Sequence, residues 1–153
     1  MPSPNSRGER HGAPRGYLLS FDFGKRRIGV AVGQTQTGTA TAIGTVSNGD
    51  KPDWNHLSNI VDEWQPTLFI IGLPLAEDGG ETPMSSLARA FGEQLGGRYG
   101  IEVDFFDERL TSKAAEQQFA EMRAKGGARR KDASRMDAMA ARIILENWLS
   151  QNV

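Results

Sequence analysis

Three stretches of this 153-residue chain carry a carboxylate where the surrounding residues call for apolar side chains. From Tyr17 to Phe23, strand alternation puts Leu19, Phe21 and Phe23 on one face and Leu18, Ser20 and Asp22 on the other. Asp22 is then a charge inside a core strand, costly unless a donor, a counter-charge or a metal ion meets it. Capping of the turn at Gly24 is the plain structural alternative, and these residues alone do not choose. Asp137 poses the same problem on a helical face made by Ala133, Met136, Asp137, Ala140, Ala141, Ile144 and Trp148, whose other members are apolar or small. Its alternative is an acid in a helix's first turn, favoured by the dipole. Asp107 and Glu108 follow the last apolar run, at the carboxyl edge where α/β sheets place their chemistry. An ion pair with Arg109 would also account for them. Three misplaced acids share one functional explanation better than three separate structural ones.

That explanation is convergence on divalent cations. Hard Mg²⁺ or Mn²⁺ prefers carboxylate, water and phosphate oxygens. In a two-metal site with ions roughly 3.5–4 Å apart, one activates the attacking water and the other stabilises the departing oxygen of a phosphodiester. The expected assignment has Asp22 bridging the ions, with Asp137 and an acid of the Asp107-Glu108 pair completing their shells, and cleavage leaving 5′-phosphate and 3′-hydroxyl ends. The absence of cysteine excludes disulfides, thiolate nucleophiles and cysteine-based zinc or iron sites. Neither His11 nor His56 is assigned a metal. Lys25, Arg26 and Arg109 neighbour the acids in sequence and could hold flanking phosphates, although turn and surface-pair roles suit them equally. Lys125, Arg129, Arg130, Lys131 and Arg135 face only Asp132, and Arg129, Arg130 and Lys131 form a second candidate phosphate contact. A solvated basic loop has the same composition.

Positioning these groups requires a sheet. Tyr17 to Phe23 and Arg27 to Val32 are apolar runs split by a Gly24-Lys25 turn, and Thr41 to Ser47 supplies a third strand. Trp54, Leu57, Ile60, Val61 and Trp64 recur at helical spacing until Pro66. Leu68 to Leu73 is continuously apolar and reads as a central strand covered on both faces. A loop from Pro74 to Pro83 precedes a helix with Met84, Leu87, Ala88, Phe91 and Leu95 on one side, ended by Gly96, Gly97 and Gly100. Ile101 to Phe106 is the last strand. Thr111 or Ser112 caps a helix to about Ala124, Gly126-Gly127 breaks the chain, and a final helix spans about Ala133 to Leu149. The order predicts a mixed α/β fold, a five-stranded sheet with three antiparallel strands and then two parallel strands, flanked by helices. Residues 1–16 contain three prolines, three glycines and three arginines with almost nothing apolar, the composition of a disordered tail before one domain over 17–150.

Asp22-Phe23-Gly24-Lys25-Arg26-Arg27-Ile28-Gly29-Val30-Ala31, Gly72-Leu73-Pro74-Leu75, Asp107-Glu108-Arg109-Leu110-Thr111 and Met136-Asp137-Ala138-Met139-Ala140-Ala141 together resemble the YqgF-type family of bacterial proteins. That family is associated with Holliday junction resolution and with 5′-end maturation of pre-16S ribosomal RNA. The four motifs come in the family's order and span about residues 17 to 150. The resemblance implies an RNase H-like fold with Asp22, Glu108 and Asp137 at the family's acidic positions, and it selects Glu108 over Asp107. Ala76 departs from the Asn that often follows Gly-Leu-Pro-Leu, and Ser134-Arg135 replace a Lys-rich approach to Asp137.

The expected function is therefore a metal-dependent nuclease with nucleic acid as its partner, pre-rRNA in ribosomal precursor particles or branched DNA. A net charge of −1 lacks the strongly basic balance of many nucleic-acid binders, so any phosphate footprint must be local. No apolar run approaches the roughly 18 residues of a membrane span, and a soluble cytoplasmic monomer or homodimer is expected. Two rivals draw on the same residues. An Asp-x-Gly hairpin also resembles the first phosphate motif of actin and sugar-kinase ATPases, but those close two such domains around ATP. A non-catalytic RNA- or transcription-associated factor would gain nothing from clustered acids near phosphates.

Overall fold

The computed structural model describes residues 16–125 and 130–152. The tail expected over residues 1–16, Gly16 apart, and Arg129 lie outside the described residues, as do the side chains of Lys125, Arg130 and Lys131. The elements in chain order are β1 (Tyr17–Phe23), β2 (Arg27–Gln34), β3 (Thr39–Ser47), α1 (Trp54–Trp64), β4 (Leu68–Leu73), α2 (Pro83–Tyr99), β5 (Glu102–Asp107), a single 3₁₀ turn (Glu108–Leu110), α3 (Lys113–Lys125) and α4 (Arg130–Asn152). They build one five-stranded sheet in the order β3-β2-β1-β4-β5. The β1–β2 and β2–β3 pairs are antiparallel, and β1–β4 and β4–β5 are parallel. This is the mixed sheet expected from the sequence.

The alternation read in β1 separates two cores. Leu19 and Phe21 face α1 and α2, packing with Leu57, Val61, Ala88, Phe91 and Leu95. Leu18 faces α4, packing with Ala31, Ile70, Ala141, Ile144, Leu145, Trp148 and Leu149. Every residue of β4 is buried, as a strand covered on both faces must be. The central strand is nevertheless β1, with β4 between it and β5. Local chemistry sets the helix ends. Asp53 Oδ1 accepts from the His56 amide (3.2 Å), and Thr82 and Ser85 form a reciprocal capping box ahead of Pro83.

Several boundaries differ from expectation. α2 runs through Gly96 and Gly97 and ends only at Gly100, whose φ of 65° suits glycine. Leu87, expected on the buried side of α2, is 46% exposed. Strand β5 runs one residue later than expected, to Asp107. Most consequential, α4 begins at Arg130, so Asp137 lies about two turns inside the helix, where the first-turn dipole explanation loses its force.

Candidate active site

Asp22 sits at the carboxyl end of the central strand, on the α4 side. Its antiparallel partner is Gly29. On the parallel side the register pairs Phe21 with Ile71, so the next residue along β4, Gly72, flanks Asp22. Both lateral neighbours of Asp22 therefore lack side chains. Something else fills each gap. A β-carbon at Gly29 would overlap the Asp137 carbonyl of α4, while one at Gly72 would stand 2.7 Å from Glu108 Oε2 and 2.6 Å from Ile144 Cδ1. The two glycines thus admit the helix backbone on one side of Asp22 and a carboxylate on the other. Among the described residues no hydrogen bond reaches the Asp22 carboxylate. The following turn is closed without it, by the Gly24 amide donating to the Arg27 carbonyl (3.0 Å) and Asn48 Nδ2 donating to the Gly24 carbonyl (2.6 Å). The turn-capping explanation of Asp22 falls away.

Asp107 and Glu108 diverge at the end of β5. Arg109 forks onto Asp107, its Nη2 2.6 Å from Oδ2, and donates to the Glu77 carbonyl at 3.2 Å. These bonds hold Asp107 below the usual carboxylate range, and Arg109 is committed to ordering the strand end and the loop after β4. Glu108, turned inward by the 3₁₀ turn, lies over Gly72 toward Asp22. The surface-pair explanation accounts for Asp107 and leaves Glu108 without one.

Asp137 reaches the same region from α4. Ser20, on the Asp22 face of β1, donates to the Ala141 carbonyl at 2.8 Å and ties the helix to the sheet two residues before Asp22. Trp148 Nε1 donates to Asp104 Oδ2 on β5 (2.7 Å), fixing the far end of the helix. Arg27 Nε holds Asp137 Oδ2 at 2.8 Å. Gly29, Gly72, Ser20 and Arg27 were missing from the sequence-derived site. Arg27 could have been noticed as the first residue of β2, but the role of the glycines appears only when the register is known.

Burial, then the charges of Glu108 and Asp137, push the Asp22 carboxyl up to about 8. Burial, then the charge of Asp107, pushes Glu108 up to about 7. Gathered acids that resist ionisation are a donor set a divalent cation would relieve, and an all-oxygen set suits Mg²⁺ or Mn²⁺. Among the described residues no three acids or histidines close on one point as they stand. Lys25 and Arg26 are exposed on the β1–β2 turn that follows Asp22.

Residues 16–151 match the RuvX family, described as Holliday junction resolvase. A protein of Colwellia psychrerythraea named "Putative pre-16S rRNA nuclease" is 44% identical over 88% of this chain and 89% of its own length. Proteins of the same name from Hydrogenovibrio crunogenus and Yersinia pestis are 44% and 43% identical over 88% of this chain and 93% and 94% of theirs. Among solved structures, Thermus thermophilus RuvC bound to a Holliday junction substrate superposes with a TM-score of 0.52 at 13% identity, over 90% of this chain and 95% of that one. At that identity the likeness shows a shared RNase H-like fold.

Proposed function

From its membership of the RuvX family of Holliday junction resolvases, to which this chain belongs, we propose that the protein is a divalent-metal-dependent nuclease that matures the 5′ end of pre-16S ribosomal RNA in the cytoplasm. One observation carries the site assignment. Glycines on both sides of Asp22 let Glu108 and the Asp137 segment of α4 converge on it, so that both acids raise its pKa. Asp22, Glu108 and Asp137 would hold Mg²⁺ or Mn²⁺. Such ions supply activation of the attacking water and charge neutralisation at the departing oxygen.

The chain's own residues do the rest. Asp22 on the rigid central strand fixes the centre, and Glu108 is oriented by the turn that Thr111 Oγ1 closes on its carbonyl (2.6 Å). Arg27 pairs with Asp137 and sets the direction of its carboxylate. Lys25 and Arg26 on the adjoining turn can then meet the phosphates flanking the cut, and Arg129, Arg130 and Lys131 are assigned the same task farther along the strand. Arg109, bound to Asp107, stabilises the frame.

Purified protein should cut an RNA carrying the 5′-extended 16S junction in Mg²⁺ or Mn²⁺, leaving 5′-phosphate ends. Asp22→Asn should lower that rate by more than the roughly 10–100-fold typical of losing mere support for a metal ligand. Unchanged cleavage by Asp22→Asn would remove the assignment. Resolution of four-way DNA junctions is the second reading, favoured by the family description and by the fold shared with RuvC. Symmetric cutting needs two active sites, so this reading requires a dimer at working concentration, testable by sedimentation beside a junction assay.

A further inference from the structure

A concavity lies beside the β1–β2 turn that follows Asp22, on the opposite face of the sheet from the acids. Phe23 follows Asp22 directly and therefore points toward α1 and α2. With Trp54 at the start of α1 and Phe91 and Leu87 on α2, it lines a groove of about 550 Å³. That is the size of a small-molecule pocket. The rings are already arranged as a platform. Trp54 lies stacked against Phe91 at 6.0 Å between centroids, Phe23 tilts against Phe91 at 5.1 Å, and the Arg98 guanidinium sits 4.3 Å from the Trp54 ring. Leu87 stands 46% exposed along the groove, although helical spacing puts it with Ala88, Phe91 and Leu95 on the apolar side of its helix. Lys25 and Lys51 stand on the rim, outnumbering Asp50, and neither lysine forms an ion pair among the described residues.

Resting on the nuclease reading above, we propose that this groove receives an unstacked nucleobase from the single-stranded flank of the substrate, a few nucleotides from the scissile phosphate. Three features select that occupant. Aromatic and aliphatic walls beneath a cationic rim match a flat apolar base attached to a phosphate chain. The β1–β2 turn leads from Asp22 to the groove, and Lys25 on that turn, three residues after Asp22, lines the groove, so one strand crossing the end of β1 reaches both. The other exposed large hydrophobics among the described residues, Tyr17 and Leu110, belong to different elements, so no extended apolar strip accompanies Leu87 for a partner helix to lie along.

The test scans single abasic nucleotides through the flanks of a cleavable RNA, using the full chain and the Leu87→Glu variant, with kcat/KM as the readout. A charge at this exposed position spares the core, and circular dichroism of the variant checks its fold. One abasic position near the cut should lower kcat/KM about tenfold, Leu87→Glu should lower it comparably on the intact RNA, and the two together should cost little more than either alone. Wild-type cleavage indifferent to every abasic position, or losses that multiply independently, would overturn the proposal. So would a Leu87→Glu variant that cleaves RNA normally but loses a protein partner. Wild-type protein that cuts none of the series fails at the nuclease reading itself, and the groove assignment fails with it.

Discussion

Asp22 and Glu108 make the metal-free protein sensitive to pH in a direction opposite to that of ordinary salt-bridged acids. Unfolded carboxyls titrate near about 4, whereas these two hold their protons to about 8 and about 7 in the fold. Below about pH 4 both states are protonated and the pair costs nothing. As pH climbs past that point the unfolded chain releases protons that the folded chain keeps, so stability falls until the folded groups ionise as well. In chelator, the melting temperature should therefore decline from pH 5 to pH 8, and Asp22→Asn should flatten the decline. A wild-type melting temperature that rises across this window would contradict the burial and repulsion inferred for the pair.

At the scale of elements, the site depends on how closely α4 and the β5 end approach β1. Gly29→Ala places a methyl group against the backbone of α4, which cannot yield as a flexible side chain would, and should cost about 1–3 kcal/mol or more. Gly72→Ala meets movable atoms, the Glu108 carboxylate and the Ile144 methyl, so it should cost less stability but displace a proposed ligand. Urea denaturation and Mg²⁺-dependent cleavage measured together separate the two. Gly29→Ala should lose both stability and activity, and Gly72→Ala mainly activity. Two variants as stable and as active as the wild type would mean that close approach does not shape the site.

For the whole molecule, a net charge of −1 leaves nucleic-acid affinity to local clusters. If Arg129, Arg130 and Lys131 contact phosphates, their combined replacement by Ala should reduce the slope of log K against log salt by roughly 2 on single-stranded RNA, about 0.7 per contact. An unaltered slope would exclude these residues from the footprint. Cation binding should also register globally. Mg²⁺ at about 100 times its dissociation constant stabilises a one-site protein by about 2.7 kcal/mol, and this gain should be present in the wild type and missing in Asp22→Asn.

Patterning local in the chain was enough to define the elements and the mixed sheet, because strand alternation, helical spacing and caps act over a few residues. Alternation in β1 separated the faces carrying Phe21 and Asp22, and the misplaced acids of β1 and α4 could be recognised from their neighbours alone. Patterning alone did not separate Glu108 from Asp107, a choice that rested on the family resemblance, and Arg109 engages Asp107 in the fold. The start of α4, the exposure of Leu87 and the centrality of β1 were likewise decided by packing. Only tertiary structure revealed that Gly29 and Gly72 flank Asp22, because register joins residues distant in sequence and the empty space beside a glycine has meaning only once something fills it.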